Sequence, residues 1–446
     1  MKRIIYLILA LLLVLSFAGC DDGEKAPSNT PVSENVGEIK NDDATVEKPE
    51  EEIKPEVFYT GVVCQLPSNG TYPFTALKTD GTYDKLGEKG VYGYPEITDD
   101  GKFVFFRQSI ERIERLFVMT PDSRPFELAQ NAKAFTLEKS GKWVAVRCED
   151  GFYFATDFTK PCEKIVEMDS ITNLLVSDDG KKATLVNDEG TLYFVDIPSK
   201  TFVTVDTGVE FVIKKICENL FYYAKEDGLY EYKNGTSTFI SEWWLSTDFP
   251  EIFATGTERD RTYHYINSDG TTFEIEDEVS ISSYTKMSRN NKYLVSGSGK
   301  TLYRYEVTPT GLINKTELHG NGITIYNINN DGVVLACSSK DQDFGIFENG
   351  EYKHLSDGML LINKMGYSSC VHYGNNCVYF SKDNVLYKYT FGGEIETLKE
   401  DIYSFAANGD FCYYTADYDK SAERGDLYAV GTEEMVDDRI MYVFVR

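Results

Sequence analysis

Gly299-Lys300-Thr301 is the residue set that ends a phosphate-binding loop. Such a loop also needs a glycine five positions before Gly299, so that backbone amides can curl around the anion, and a helix opening behind it. Leu294 holds that position, and Thr301-Leu302-Tyr303-Arg304-Tyr305-Glu306-Val307 alternates like a strand. The segment reads as a hairpin turn, and no nucleotide partner is expected. For metal chemistry, Asp417, Asp419, Glu423 and Asp426 gather carboxylates in one loop, the donor type that calcium takes, although a solvated acidic loop has the same spacing. Asn327 to Gly332 imitates the start of a calcium loop, but Ser338 stands where the bidentate acid belongs. His264, His319, His354 and His372 have no partner at metal-ligand spacing. A G-x-S-x-G elbow and a C-x-x-C pair are both absent from the sequence, so serine-nucleophile and dithiol chemistry are not indicated. No cofactor is expected. Acid pairs for glycoside hydrolysis cannot be judged from spacing, because 72 acidic residues always supply some pair.

The elements that would position any site begin after an export segment. Lys2 and Arg3 precede the largely apolar run Ile4 to Phe17, the pattern of a secretory signal. A membrane-spanning helix needs roughly 20 apolar residues, more than this run offers. Phe17-Ala18-Gly19-Cys20 resembles the lipobox of bacterial lipoproteins, with Phe17 where that family usually has leucine. The resemblance implies that residues 1–19 are removed and that Cys20 is lipidated, giving an extracytoplasmic protein held to the cell membrane. Residues 20–56 then form a tether: between 21 and 56 there are 12 acidic and 4 basic residues, four prolines and no aromatic side chain. Such a composition buries too little apolar surface to offset its ordering entropy.

From residue 57 to 446 the composition is that of a folded domain, holding every tyrosine but Tyr6. Removing the signal's +2 and the tether's −8 from the chain's −27 leaves −21 for this part. That charge, without a basic cluster, argues against nucleic acid as a partner. Cys217, Cys337 and Cys412 lie in apolar runs and read as small buried side chains, while Cys370 and Cys377 either face each other across a hairpin or are offset by Gly374-Asn375-Asn376.

Polar turns recur roughly 40 residues apart, each before a β-branched or aromatic strand. Thr98-Asp99-Asp100-Gly101-Lys102, Lys139-Ser140-Gly141-Lys142 and Ser177-Asp178-Asp179-Gly180-Lys181 are the clearest, with later copies at Glu218, Asp260, Asn290, Asn330, Asn375 and Gly409. A third strand of the type Leu192-Tyr193-Phe194-Val195-Asp196 follows, then a fourth. Four strands per unit, repeated, predict a β-propeller: an all-β ring of about eight blades, seven or nine being the adjacent counts, closed by pairing the strands near Phe74 with the C-terminus. Bulky runs such as Leu220 to Ala224 and Phe411 to Thr415 are then packing between blades. The repeats resemble bacterial TolB-like and WD-repeat-like propellers, in which "S-x-D-G-K" precedes one strand and "L-Y-x-x-D" forms another. That resemblance implies a scaffold and leaves activity open. The expected function is a lipid-anchored, non-catalytic binding module for a protein or glycan; the alternative is a glycoside hydrolase or lyase acting on extracellular polysaccharide.

Overall fold

In the computed structural model, the described residues are 56–65, 74–87 and 91–247, and from 249 to 445 all but 250, 258, 277–278, 280, 283–284, 299–300, 319–322, 339–343, 349, 358–370, 410, 420–423 and 432–434. The signal, Cys20 and nearly all of the tether lie outside them. Among the described residues no helix is long and apolar enough to cross a membrane.

Eight four-stranded antiparallel sheets follow one another along the chain and form blades 1 to 8, over residues 91–130, 132–167, 171–206, 209–241, 244–275, 286–318, 323–356 and 371–399. The ninth sheet has seven strands and contains two blades. Blade 9 is Ser404–Asn408, Phe411–Asp419, Arg424–Ala429 and the beginning of the long strand Met435–Val445. The end of that strand pairs with Tyr59–Gln65, matching Val445 to Gly61 and Val443 to Val63. Phe74–Lys78 and Tyr83–Leu86 complete blade 10. Closure therefore joins the two ends of the domain as expected, but the ring has ten blades, not about eight. Nine turn signals were visible because blade 10 has its first strand at the C-terminus and its second at the N-terminus, with no turn between them. The signal at Asp260 belongs to the second turn of blade 5; the first, at Thr247 to Glu251, has no glycine.

The repeated motifs have local causes. In blade 3 the Ser177 hydroxyl donates to Asp179 at 2.7 Å, Asp179 accepts the Lys181 amide at 3.0 Å, and Ser177 accepts the Lys182 amide at 2.9 Å. Thr98 with Asp100, and Ser288 with Asn290, repeat this bonding. The aspartate of "L-Y-x-x-D", Asp196, caps the next turn by accepting the Ser199 amide and hydroxyl. Lys182 binds the same carboxylate, and with these donors it holds the acid down to about 2.

Ten apolar clusters account for the closed ring, each shared by two neighbouring blades. Tyr59, Val62 and Phe74 of blade 10 meet Val104, Phe106 and Phe117 of blade 1, and on the other side Val63 and Leu77 meet Ala406, Tyr413 and Leu427 of blade 9. Burying one such side chain contributes about 1.5–3 kcal/mol, so the interfaces dominate any surface ion pair. Tyr222, Tyr223, Tyr413 and Tyr414 are all buried in these seams. Arginines add polar clamps: Arg147 of blade 2 donates to the carbonyls of Ile171 and Thr172 in blade 3.

Candidate functional site at the ring axis

Turns between the first and second strands of the blades, and between the third and fourth, lie on one face of the ring. The turns between second and third strands, and the links between blades, lie on the other. On the first face, Arg289 of blade 6 donates to both carboxylate oxygens of Asp99 in blade 1, at 3.2 and 3.3 Å. Blades 1 and 6 are five apart in either direction around ten, so they are diametrically opposed. The two turns meet across the axis and form a clasp on that face. Around it the turns also bond to their neighbours: the Asp99 amide donates to the Lys139 carbonyl of blade 2, and the Asn290 amide to the Asn330 side chain of blade 7.

The first strands stand nearest the axis, and several of their side chains are only partly covered. Tyr94 of blade 1 is 49% exposed with its ring edge-on to Phe74. Phe135 of blade 2 and His372 of blade 8 are half-buried, the latter edge-on to Phe405. Trp244 of blade 5 stacks on Phe211 of blade 4, and Leu245 beside it is exposed. These side chains offer apolar platforms with polar edges that could hold a ligand.

The second face is acidic where blades 2, 3 and 4 adjoin. Glu149-Asp150, Asp188-Glu189 and Glu226-Asp227 occupy corresponding turns. A hydrogen bond from the Lys164 ammonium, chiefly, holds the Asp150 carboxyl below its ordinary range, and Tyr153 adds a second donor. Burial pushes Asp206 up, but the Thr207 amide, the Tyr223 hydroxyl and Lys225 outweigh it and leave its carboxyl lowered. Asp150 and Asp206 thus add negative charge to this face.

Of the acids singled out for chemistry, Asp417, Asp419 and Asp426 lie on the paired second and third strands of blade 9. Glu423 lies outside the described residues. Asp417 accepts a hydrogen bond from the Tyr428 hydroxyl at 3.4 Å, Asp419 pairs along the strand with Arg424, and Asp426 pairs with Ala416. No group of three metal-ligating side chains occurs among the described residues. His264 shares a hydrogen bond with Thr255 and is stacked on Phe253; burial lowers its basicity. Gly299 and Lys300 lie outside the described residues, but Ser298 pairs with Thr301 and Gly297 with Leu302, so the strands around them form the expected hairpin. Cys217, Cys377 and Cys412 are buried, and the Cys217 thiol donates to the Asn267 carbonyl. Cys377 faces Gly374 across its own hairpin; Cys370 lies outside the described residues.

Sequence reasoning missed the clasp. Its only signal is positional: Asp99 and Arg289 hold the same place in their turns, one residue after Thr98 and Ser288, and their charges are opposite.

No family model matches the chain, and no curated protein matches it. Among solved structures it is similar to a eukaryotic initiation factor at 10% identity, covering 87% of this chain and 98% of that one with a TM-score of 0.47. It is also similar to the dihydro-heme d1 dehydrogenase NirN, at 12% identity over 90% of this chain and 77% of that one, TM-score 0.37. A third is an oligogalacturonate lyase from Vibrio parahaemolyticus, at 11% identity over 77% and 97%, TM-score 0.35. The likeness concerns the β-propeller fold.

Proposed function

We propose that this chain is a bacterial lipoprotein carrying a propeller of the TolB-like and WD-repeat-like kind, held to the outer surface of a cell membrane through Cys20. It acts as a binding or scaffold module for a protein or glycan and performs no chemistry on it. The observation that carries the reading is the set of partly exposed aromatic and apolar side chains on the innermost strands, Tyr94, Trp244 and Leu245 among them. Partly exposed aromatic and apolar side chains on several innermost strands give a ligand apolar surface to bind.

Two measurements test this. Cys20→Ala should release the processed protein from the membrane with its thermal unfolding unchanged, because the tether separates anchor from core; retention of processed, unlipidated protein refutes anchoring. Full-length protein should retain an envelope protein or glycan, and Tyr94→Ala with Leu245→Ser should lose it without loss of folding. Consumption of polysaccharide by the wild type would refute the non-catalytic reading.

A further inference from the structure

The fourth strand of each blade exposes an unpaired edge at the rim, a template on which another strand can add. Nine of the ten fourth strands carry at least one Asp, Glu, Lys or Arg, such as Glu163–Glu167, Gly311–Leu318 and Glu351–Ser356. Such charges keep strand edges apart. The exception is Thr236–Ser241 of blade 4, Thr-Ser-Thr-Phe-Ile-Ser, which has none. Every residue from Thr236 to Ile240 is exposed, so both faces of this strand project beyond the neighbouring blades. Phe239 is 48% and Ile240 41% exposed, and Phe239 is fixed edge-on to Tyr230 at 5.5 Å.

We infer that Thr236–Ser241 is the contact strand of a homodimer, pairing antiparallel with the same strand of a second copy of this chain. The charge distribution selects that occupant. A twofold contact sets each residue against its own kind or a near neighbour, so like charges in the strip oppose association. In a domain of net −21, the uncharged edge is where two copies meet with least repulsion. The flanks are complementary as well. Exposed Lys233 stands beside the Asn234-Gly235 turn that enters the strand, and exposed Glu242 follows its end. Antiparallel pairing carries Glu242 of each copy toward Lys233 of the other. Asn234 and Gly235 both take positive φ, which gives a tight hairpin and leaves the edge unobstructed up to its first residue.

Sedimentation velocity on the full-length chain in detergent tests the inference. At about 10 μM, where a micromolar interface fills, the wild type should be a dimer and should tighten with added salt as the net repulsion is screened. Thr238→Lys with Ile240→Lys should be a folded monomer with an unchanged circular dichroism spectrum. Lys233→Glu should weaken dimerisation by about 3- to 10-fold, and Lys233→Glu with Glu242→Lys should restore it. Val203→Lys, on the exposed fourth strand of blade 3, should leave the dimer intact. A monomeric wild type, a dimer indifferent to the double lysine variant, or one broken by Val203→Lys overturns the inference.

Discussion

Gly180 shows how one residue serves both the turn and the ring. Its φ of 70° lies in the left-handed region, where a side chain strains the backbone. The sequence made this legible, since Asp178-Asp179-Gly180-Lys181 is a turn with few alternatives. The neighbour was not legible: a Cβ here would come within 2.7 Å of Trp143 Cδ1 and 3.1 Å of Phe154 Cζ, both in blade 2. Gly180→Val therefore strains a backbone and pries apart a seam. Chemical denaturation should show a loss of about 1–3 kcal/mol from the backbone strain alone, in a single transition. An unchanged midpoint would mean that the turn and the seam relax freely.

Single strands decide closure, and Met435–Val445 decides it twice. Its start is the fourth strand of blade 9 and its end the first strand of blade 10. Without residues 438–446, Tyr59–Gln65 would lose its inner partner, and the seam of Val63 and Leu77 against Tyr413 and Leu427 would be exposed. Four such side chains at about 1.5–3 kcal/mol each match the whole stability of an ordinary domain. Deleting 438–446 should abolish the cooperative calorimetric transition. Deleting Arg446 alone should leave it. A cooperative transition within a few degrees of wild type after the longer deletion would show that the ring is held without its closing strand. The sequence pointed to this closure but hid the blade it creates, because the unit is split between the two ends and lacks the turn that marks the others.

Taken whole, the ring is drawn together along the diameter from blade 1 to blade 6 by Asp99 and Arg289. Their side chains are 33% and 39% exposed, so the pair contributes about 0–1 kcal/mol and governs shape more than stability. Spin labels at Lys102→Cys and Lys292→Cys, both on exposed turn positions, should report a narrow short distance across the axis. Arg289→Asp should lengthen and broaden that distance by setting two acids against each other. Adding Asp99→Arg should restore it, with unfolding free energy changed by less than about 1 kcal/mol throughout. A distance unaffected by Arg289→Asp would assign the approach of the two blades to packing.

The sequence by itself determined the all-β class, the four-stranded unit, the hairpin identity of Ser-Gly-Ser-Gly and the burial of the tyrosine runs. Each follows from local rules: side-chain alternation, turn residues that tolerate positive φ, and bulky strands that need cover on both faces. Only the tertiary structure decided the number of blades, the clasp and the neighbour of each glycine. Blade number is set by the angle at which one blade packs on the next, a property of ten seams acting together and not of any turn. The clasp joins residues 190 positions apart that become neighbours only when ten blades place their turns on opposite sides of one axis.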